Sequence, residues 1–472
     1  MEQISVFDIF KVGIGPSSSH TMGPWNAARM SLTEVEAQGA LDHVCRVQVD
    51  LYGSLAKTGK GHGTDVGVLL GLGGEDHATI DTSTIDEKVA AVHSTGRLDL
   101  AGRRRVPFDL AGDLHFHGDT ALPFHPNGIC FRYELEGGKI LSCTYYSIGG
   151  GFVVKEHQEP PARGKPMPFP IQSGQDLAEH CQREGKPIAD IVMANERSRL
   201  DPPEIHSALD HIWETMQEVV YRGCHAEGEL PGGLKVRRRA PQLARGLLAG
   251  ATPGTRKEWL DEIRGQQPSF RRTLRWVSCF AIATNEENAD FGRVVTAPTN
   301  GSAGVIPAVL LYYVCFSDKV TDDDVRQFLL VAGEFGSLFK KGATISAAMG
   351  GCQAEIGVSS AMAAAALAER RGGTPGQVLM AAEIAMEHHL GMTCDPVGGL
   401  VQIPCIERNS MGAIKAITAA NLALEGDPEL ARVSLDAVIR SMWDTARDMS
   451  TKYKETAEGG LAVHLPVNLA DC

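Results

Sequence analysis

The chain has 472 residues, 43% hydrophobic and 22% charged, a composition ordinary for a globular protein of two or three domains. Its 45 basic and 58 acidic residues give a net charge of −13, which argues against nucleic acid or an anionic membrane as a partner. The 11 cysteines are odd in number and widely spread, and the N-terminus lacks the basic and apolar regions of a signal peptide. We therefore expect a cytoplasmic protein without a disulfide framework.

Residues 1–155 predict a mixed α/β domain. Polar and apolar residues alternate along 44–52 and again along 129–135, as they do in half-buried strands. Two glycines at 137 and 138 then predict a hairpin into a further strand over 140–147.

The stretch 156–175 is dense in proline and predicts a semi-rigid linker, because proline sustains neither a helix nor a central strand. Beyond it, residues 176–472 predict a mostly α-helical domain. Its clearest helices are expected over 322–342, capped by Thr321, over 375–390, and over roughly 435–452. The predicted fold class is α+β multidomain, with an N-terminal mixed α/β domain followed by a mostly helical catalytic domain.

One run in the helical part could form either a membrane-spanning helix or a helix buried in the core. Residues 342–367 contain a single charge, Glu355, among many alanines, glycines and serines. These small residues carry little transfer energy and a glutamate inside a membrane is costly, so the run predicts a tightly packed buried helix. The apolar run 305–316 is too short to span a bilayer.

A small, hydroxyl-rich segment near the N-terminus is a candidate substrate-binding loop. It contains Ser17, Ser18, Ser19, His20 and Thr21, followed by a predicted helix over 25–32. Hydroxyl and backbone N–H donors at a helix start suit a carboxylate, although an N-terminal cap for that helix explains the pattern equally well.

The glycine-rich stretch 52–65 holds His62 between Gly61 and Gly63. Its lysines and hydroxyls do not follow the order of a phosphate-binding P-loop. A histidine between two glycines has no neighbouring side chains to pack against, which favours a catalytic base over an exposed loop residue.

Three further histidines, His115, His117 and His125, lie in the second half of the predicted α/β domain. Alternate histidines on an extended segment can bind zinc. Without a cysteine or carboxylate pattern beside them, the sequence favours ordinary polar positions.

In the helical part, residues 296–304 form a small, polar turn before the apolar helix expected from Val305. Asn300, Gly301 and Ser302 lie at the positive end of that helix and are candidates to hold a substrate carboxylate or amino group. The alternative is a glycine-rich cap; the number of small residues favours the functional interpretation.

Three cysteines flanked by glycine or proline are candidate metal ligands. Cys352 follows a glycine pair, while Cys394 and Cys405 bound a segment whose prolines and glycines exclude a continuous helix. Three thiols can hold three corners of an iron-sulfur cube and leave one iron as a Lewis acid. From spacing alone, metal ligation and buried packing remain equally good explanations.

Together these segments resemble the bacterial iron-sulfur L-serine dehydratase family in its single-chain form, over nearly the whole chain. The motifs that carry the resemblance are residues 17–21, 52–65, 124–127 and 296–304, with Cys352, Cys394 and Cys405. The resemblance implies a β-type domain, a helical α-type domain, and conversion of L-serine to pyruvate and ammonia. It also implies a [4Fe-4S] cluster held by Cys352, Cys394 and Cys405. Cys472, the last residue, is a candidate fourth ligand on a separate ground, because a terminal segment can reach far.

The resemblance further implies roles for the other candidates. An open iron would act on the substrate hydroxyl while His62 removes the Cα proton; His20 would be a second proton-handling or orienting group, and the two could be exchanged. Ser17, Ser18, Ser19 and Thr21, with the turn 300–302, would position the carboxylate and amine. We also expect a homodimer.

Three alternatives stay open at this point. A pyridoxal-phosphate dehydratase would need a Schiff-base lysine, for which Lys57 or Lys60 beside glycines are the only suggestion. Another iron-sulfur hydro-lyase could act on a different hydroxy or amino acid. A cluster-based sensor would use the same ligands without catalysis.

Overall fold

The structure, a computed structural model, describes residues 3–157 and 167–465. The strands are β1 (Val12–Ile14), β2 (Val44–Tyr52), β3 (Arg97–Leu100), β4 (Arg104–Pro107), β5 (Leu114–His117), β6 (Gly128–Leu135), β7 (Ile140–Ser147), β8 (Val153–Lys155) and β9 (Arg293–Val295). The helices of the first part are α1 (Val6–Ile9), α2 (Gly23–Ala37), α3 (Ser54–Lys57), α4 (Thr64–Leu72), α5 (Ile85–Thr95) and α6 (Leu110–Asp113).

The second part is helical. Its helices are α7 (Gly174–Glu184), α8 (Ile188–Glu196), α9 (Pro202–Gly223), α10 (Ala240–Leu248), α11 (Arg256–Gly265), α12 (Phe270–Ala289), α13 (Val305–Phe316), α14 (Asp322–Gly342), α15 (Ala347–Gly350), α16 (Ile356–Arg370), α17 (Pro375–Glu387), α18 (Cys405–Glu425) and α19 (Leu435–Asp448). A mixed sheet followed by helices confirms the predicted α+β class.

The central sheet has the strand order β5-β2-β6-β7-β8, with β2 parallel to β5 and antiparallel to β6. As the alternation predicts, Val47, Val49 and Leu51 of β2 are fully buried, in a core shared with α2 and α4. The hairpin between β6 and β7 turns at Gly137 and Gly138, whose φ angles of 87° and 80° favour glycine.

The helical core is centred on α16, which is buried from Ile356 to Glu369 and packs against α13, α14, α17 and α18. Alanine and glycine along α16 allow neighbouring helices to approach closely, as the shallow apolarity of this run predicts. No helix in the described ranges is long and apolar enough to cross a membrane.

The first residues of the described chain pack in the helical core and not on the sheet. Val6 and Ile9 of α1 are buried against α14, where a Cβ on Gly333 would lie 2.7 Å from Cβ of Val6. Directly afterwards β1 pairs antiparallel with β9, with Val12 opposite Val295. The N-terminal segment therefore joins the two parts of the molecule.

Three predicted helices end or break earlier than expected. The run 342–367 is not one helix, since α14 ends at Gly342 and the chain turns at Gly351, with φ 73°, before α16 begins. Helix α17 stops at Glu387 and not at 390, because the following amides bond to carbonyls three residues back. Helix α19 stops at Asp448 because Met449 is extended, with ψ 129°.

The helix predicted over 25–32 lies within the longer α2. Nine of the 20 residues of the predicted linker, 158–166, lie outside the described residues. In its described part, Phe169 exchanges two hydrogen bonds with the Asn195 side chain, of 2.9 and 2.7 Å, so this end is fixed on the helical part.

Candidate active site

Three buried cysteines lie where α16, α18 and the loop after α17 come together. Cys352 sits in a single 3-10 turn before α16, Cys394 lies in the loop, and Cys405 begins α18. Ligand atoms of Cys352, Cys394 and Glu355 all lie within 4.8 Å of one another, a group that could hold a metal. Cys405 is outside this tightest group but close enough for the charge of Cys352 to affect it. As predicted, no continuous helix links Cys394 to Cys405.

Arg408 lies one turn into α18 and faces the thiols. Its Nη1 donates to Cys352 Sγ at 3.3 Å and its Nη2 donates to Asp395 Oδ1 at 3.0 Å. A hydrogen bond from Cys394 and the Arg408 charge lower the pKa of Cys352 to about 6, against the effect of burial. The bond to Cys352 and burial raise the pKa of Cys394, and burial raises that of Cys405. Holding all three cysteines as thiolates therefore requires a cation in addition to Arg408, such as a metal ion.

The two candidate histidines form a pair beside these thiols. His20 lies on a π-helical turn, Ser18–Met22, before α2, and His62 lies in the turn before α4. Their ring centroids are 4.7 Å apart and both residues are almost fully buried. The His62 turn contacts the cysteine loop directly: a Cβ on Gly61 would lie 2.5 Å from the carbonyl oxygen of Gly399.

Hydrogen bonds fix which nitrogen of each ring carries the proton. His62 Nδ1 lies 2.9 Å from the carbonyl oxygen of Thr58, which can only accept, so this nitrogen is the donor and Nε2 keeps its lone pair. Ser54 Oγ donates to the Glu455 carbonyl at 2.8 Å and therefore accepts from His20 Nε2 at 3.1 Å. His20 Nδ1 in turn accepts from Ser19 Oγ at 2.8 Å.

Both rings are held neutral at pH 7. Burial lowers the pKa of His62 to about 4. Burial and the neighbouring His62 lower the pKa of His20 well below its usual range. A neutral imidazole with an unused lone pair can accept a proton, which His62 Nε2 satisfies and His20 does not.

Glu455 reaches both histidines, although nothing in the local sequence suggests it. Its Oε1 lies 3.5 Å from His20 Nδ1 and 3.5 Å from His62 Nε2. Burial and the nearby Glu355 raise its pKa well above the usual range, which favours its protonated form. Its φ of 56°, rare for a residue with a side chain, comes from the pairing of this segment with the Cys394 loop: Glu455 N donates to Cys394 O at 2.9 Å.

The serine loop surrounds His20 with hydrogen bonds. Ser17 Oγ accepts from His20 N at 3.1 Å, and Thr21 Oγ1 donates to His62 O at 2.7 Å. Ser19 is bonded to the His20 ring. Among the described residues, the buried Ser18 hydroxyl has no hydrogen-bond partner.

The turn 300–302 borders the site next to Glu355. Asn300 Nδ2 donates to Ile14 O at 2.9 Å, while its Oδ1 has no partner in the described part of the chain. Ser302 Oγ is bonded within the turn, donating to Ala297 O at 3.0 Å. Gly301 lies against Glu355, whose Oε2 would be 2.6 Å from an added Cβ.

The three histidines considered for zinc are separated. His125 is close enough to His20 for its charge to affect that ring. Its Nδ1 accepts from Asn127 N at 3.1 Å, and burial lowers its pKa to about 4. Both side-chain amide atoms of Asn127 are buried without a partner in the described ranges. His115 and His117 lie instead on the outer face of the sheet, beside Asp50.

Comparison with known families agrees with this arrangement. Residues 5–158 match the serine dehydratase beta chain family, and residues 183–462 match the serine dehydratase alpha chain family. The chain belongs to the serine dehydratase family. The family resemblance inferred from the motifs is thereby confirmed.

Full-length relatives in the serine dehydratase family are similar throughout. The chain is 49% identical over 467 residues to the L-serine dehydratase of Streptomyces coelicolor, covering 98% of this chain and 99% of that protein. It is 46% identical over 463 residues to L-serine dehydratase 1 of Escherichia coli, covering 98% and 99%. With the L-serine dehydratase of Haemophilus influenzae the identity is 44% over 469 residues, covering 98% and 100%.

The two family regions each supply part of the site. The beta-chain region contains His20 and His62, and the alpha-chain region contains the three cysteines, Asn300 and Glu455. The sequence analysis did not identify four residues of the site, Glu355, Arg408, Glu455 and Asn127. Glu455 follows Ser54 by 401 residues, and Asn127 lies in a segment quoted for the resemblance without a role. The only sequence signal for Asn127 is its position between Pro126 and Gly128.

Proposed function

We propose that the protein dehydrates L-serine to pyruvate and ammonia. The observation that carries this proposal is His62, a buried neutral imidazole whose Nε2 lone pair is unused and whose turn contacts the loop of the candidate metal-binding thiols. Full-length identity of 44–49% to proteins named L-serine dehydratase supports the substrate and the reaction.

In this proposal His62 is the base that removes the Cα proton. Its Nδ1–H donates to Thr58 O and orients the ring, so that Nε2 receives the proton. Both nitrogens of His20 already have partners, which favours an orienting role for His20. Protonated Glu455, between the two rings, holds a proton close to His62 Nε2 without adding a negative charge to the site.

The thiols fit an iron-sulfur cluster as a donor set. Cys352, Cys394 and Cys405 are buried, flanked by glycine or proline, and accompanied by the Arg408 cation, which offsets the charge of thiolates. We propose that they hold a [4Fe-4S] cluster, which when bound supplies Lewis-acid chemistry toward the leaving hydroxyl.

Several buried side-chain atoms near His20 have no hydrogen-bond partner in the described part of the chain and are candidates to bind the substrate. Buried polar groups are almost always hydrogen-bonded, so several on segments around His20 indicate a missing ligand. We propose that Ser18 Oγ and the Asn127 and Asn300 amides bind the carboxylate and amino groups of L-serine. Ser17, Ser19 and Thr21 then act by holding His20 and His62 in place, and Gly301 and Ser302 shape the wall beside Glu355.

The overall reaction balances without another reactant. The Cα proton passes to His62, the hydroxyl leaves as hydroxide and takes up that proton to form water, and aminoacrylate and neutral His62 remain. This enamine tautomerises to an imine, and water hydrolyses the imine to pyruvate and ammonia.

The test is pyruvate formation by protein reconstituted anaerobically with iron and sulfide, with L-threonine as a second substrate. Cys394→Ala is expected to lose bound iron and at least about 100-fold in turnover, because a ligand is removed. The matched control Cys181→Ala, another buried thiol but in the helical core, should keep its iron. Absence of turnover from iron-loaded wild-type protein would overturn the proposal.

Two expectations from the sequence remain predictions. Cys472 lies outside the described residues; as a dispensable fourth ligand, its Cys472→Ser variant should assemble the cluster but differ in activation kinetics or oxygen sensitivity. Complete loss of iron in this variant would contradict that role. The expected homodimer is to be checked by sedimentation velocity on the iron-loaded protein.

A further inference from the structure

A second group of metal-ligating side chains lies on the outer face of the sheet, away from the cysteines. Asp50 of β2 is directly opposite His115 on the neighbouring β5, and His117 follows two residues later on the same face. Asp50 Oδ1 lies 3.2 Å from His115 Nδ1 and 2.7 Å from His117 Nε2. These three ligand atoms lie within 4.8 Å of one another.

The hydrogen bonds around this group leave His115 Nδ1 without a proton when the ring is neutral. His115 Nε2 lies 3.1 Å from the carbonyl oxygen of Gly112, which can only accept, so Nε2 carries the hydrogen. In the neutral ring, His115 Nδ1 then has a lone pair that faces the carboxylate oxygen of Asp50. Two acceptors at 3.2 Å repel unless a proton or a metal cation lies between them.

We propose that Asp50 Oδ1, His115 Nδ1 and His117 Nε2 bind a divalent transition-metal ion of the zinc class. Two imidazoles and a carboxylate, with a fourth position open to water, are a common ligand set for such ions. The His115 and His117 side chains are 32% and 40% exposed, so the site is open to solvent.

The dimensions of the group suit this ligation after a small adjustment. Tetrahedral ligands at about 2.1 Å from zinc lie about 3.4 Å apart. The Asp50–His115 separation of 3.2 Å already approaches this value, and the Asp50–His117 separation of 2.7 Å must widen by under about 1 Å. His117 can move outward because its side chain is partly exposed.

Neighbouring groups hold the three ligand side chains in the orientation that a metal ion requires. Arg132 Nη2 donates to Asp50 Oδ2 at 2.6 Å, which orients the carboxylate and leaves Oδ1 for the ion. Gly112 O accepts a hydrogen bond from His115 Nε2 and so fixes the tautomer of that ring. Tyr52 stacks on His117 with ring centroids 5.0 Å apart, which limits rotation of that ring.

The ion would tie together the ends of β2 and β5 just before the active site. Directly after β2, Gly53 N donates to His117 O at 3.3 Å, and the next residue is Ser54, which bonds His20. The site uses no cysteine and none of the residues assigned to L-serine turnover, so it stands independently of the proposed function.

The test uses the iron-loaded, anaerobic protein with Zn²⁺ as the probe. Bound zinc is measured by equilibrium dialysis against a chelator of known affinity, and its ligands by X-ray absorption at the zinc edge. The variants are His115→Gln and His117→Gln. The matched control is His43→Gln, since His43 is an exposed histidine paired at 3.3 Å with one carboxylate, Glu136, on the same part of the molecule.

We expect one zinc per chain with nitrogen and oxygen ligands, unchanged iron content, and at least about 100-fold weaker binding in either variant but not in the control. Equal binding by wild type and the two variants would overturn the proposal. Sulfur ligands in the absorption spectrum would also overturn it, because the zinc would then occupy the cysteines. Failure of the wild type to retain zinc would be equally decisive against it.

Discussion

The molecule contains two histidine pairs, each beside a buried carboxylate, and they differ in the exposure of their rings and in the charge next to the carboxylate. His20 and His62, with Glu455, are nearly completely buried between the two parts of the chain. His115 and His117, with Asp50, lie on a sheet face with side chains 32% and 40% exposed. Asp50 also has a cation, Arg132, at 2.6 Å, whereas Glu455 has the second carboxylate Glu355 nearby.

The comparison shows how burial of the rings and the charge beside the carboxylate give the same side-chain types different chemistry. Without solvent or a cation, the charged forms are disfavoured, so the pKa of His62 falls to about 4 and that of Glu455 rises. The buried group is therefore a neutral set suited to proton transfer. At the sheet face, the Asp50–Arg132 ion pair and access to water instead suit binding of a cation.

The largest expected effect separates the two pairs by turnover. His62→Asn keeps a donor for Thr58 O but removes the base, so kcat should fall by about 10²–10⁴ with unchanged iron content. His117→Asn should leave turnover of L-serine within about twofold, because its pair takes no part in the reaction. The assay is anaerobic pyruvate formation with iron measured on the same samples; equal losses in both variants would remove the distinction.

A smaller effect separates the two carboxylates by stability. Asp50→Asn replaces the charged partner of Arg132 and is expected to cost about 1–3 kcal/mol of unfolding free energy. Glu455→Gln replaces a protonated carboxyl by a neutral isostere, and should cost within about 0.5 kcal/mol. Urea midpoints of the metal-free, reduced proteins check this prediction. A Glu455→Gln cost as large as that of Asp50→Asn would indicate that Glu455 is ionised.

The smallest effect concerns pH. Since the pKa of His62 is about 4 in the folded chain against 6.5 for an ordinary histidine, between these values only the unfolded chain takes up this proton. The contribution of His62 to the unfolding free energy is therefore fully present above about pH 6.5 and is lost as the pH drops toward 4. At pH 5.5 this loss is about 1.4 kcal/mol.

His62→Asn should remove that part of the acid sensitivity. The difference in unfolding free energy between pH 7.5 and pH 5.5 is expected to shrink by about 1.3 kcal/mol relative to wild type, measured by urea titration of metal-free protein. An unchanged difference would mean that the pKa of His62 in the folded chain is close to that of an ordinary histidine.

The regular elements of the fold could be predicted where one physical pattern dominates. Alternation along β2 and the glycine hairpin after β6 give the sheet, and the Thr321 cap marks the start of α14, where Asp324 N donates back to Thr321 Oγ1 at 3.2 Å. The break before Cys352 was missed because alanine and glycine suit both a helix and the turn at Gly351. Tertiary contacts with Met392 and Met449 decide between these conformations.

The histidines, serines and cysteines of the candidate site stand out in the sequence, but their partners do not. Asp50 and His115 are 65 residues apart, and only the pairing of β2 with β5 makes them neighbours. Asp50 reads as an ordinary outward-facing residue of an alternating strand. Likewise Glu455 belongs to an irregular segment with no periodicity, and becomes visible only when that segment lies along the Cys394 loop.

The N-terminal crossover has a consequence for any chain divided between the two family regions. A piece ending before the helical part would carry Ile4, Val6, Ile9 and Phe10 without the core that covers them, and β1 without β9. The other piece would lose a strand partner and the histidines. Such pieces are expected to be poorly soluble apart and to recover a working site only by complementation, as obligate subunits do.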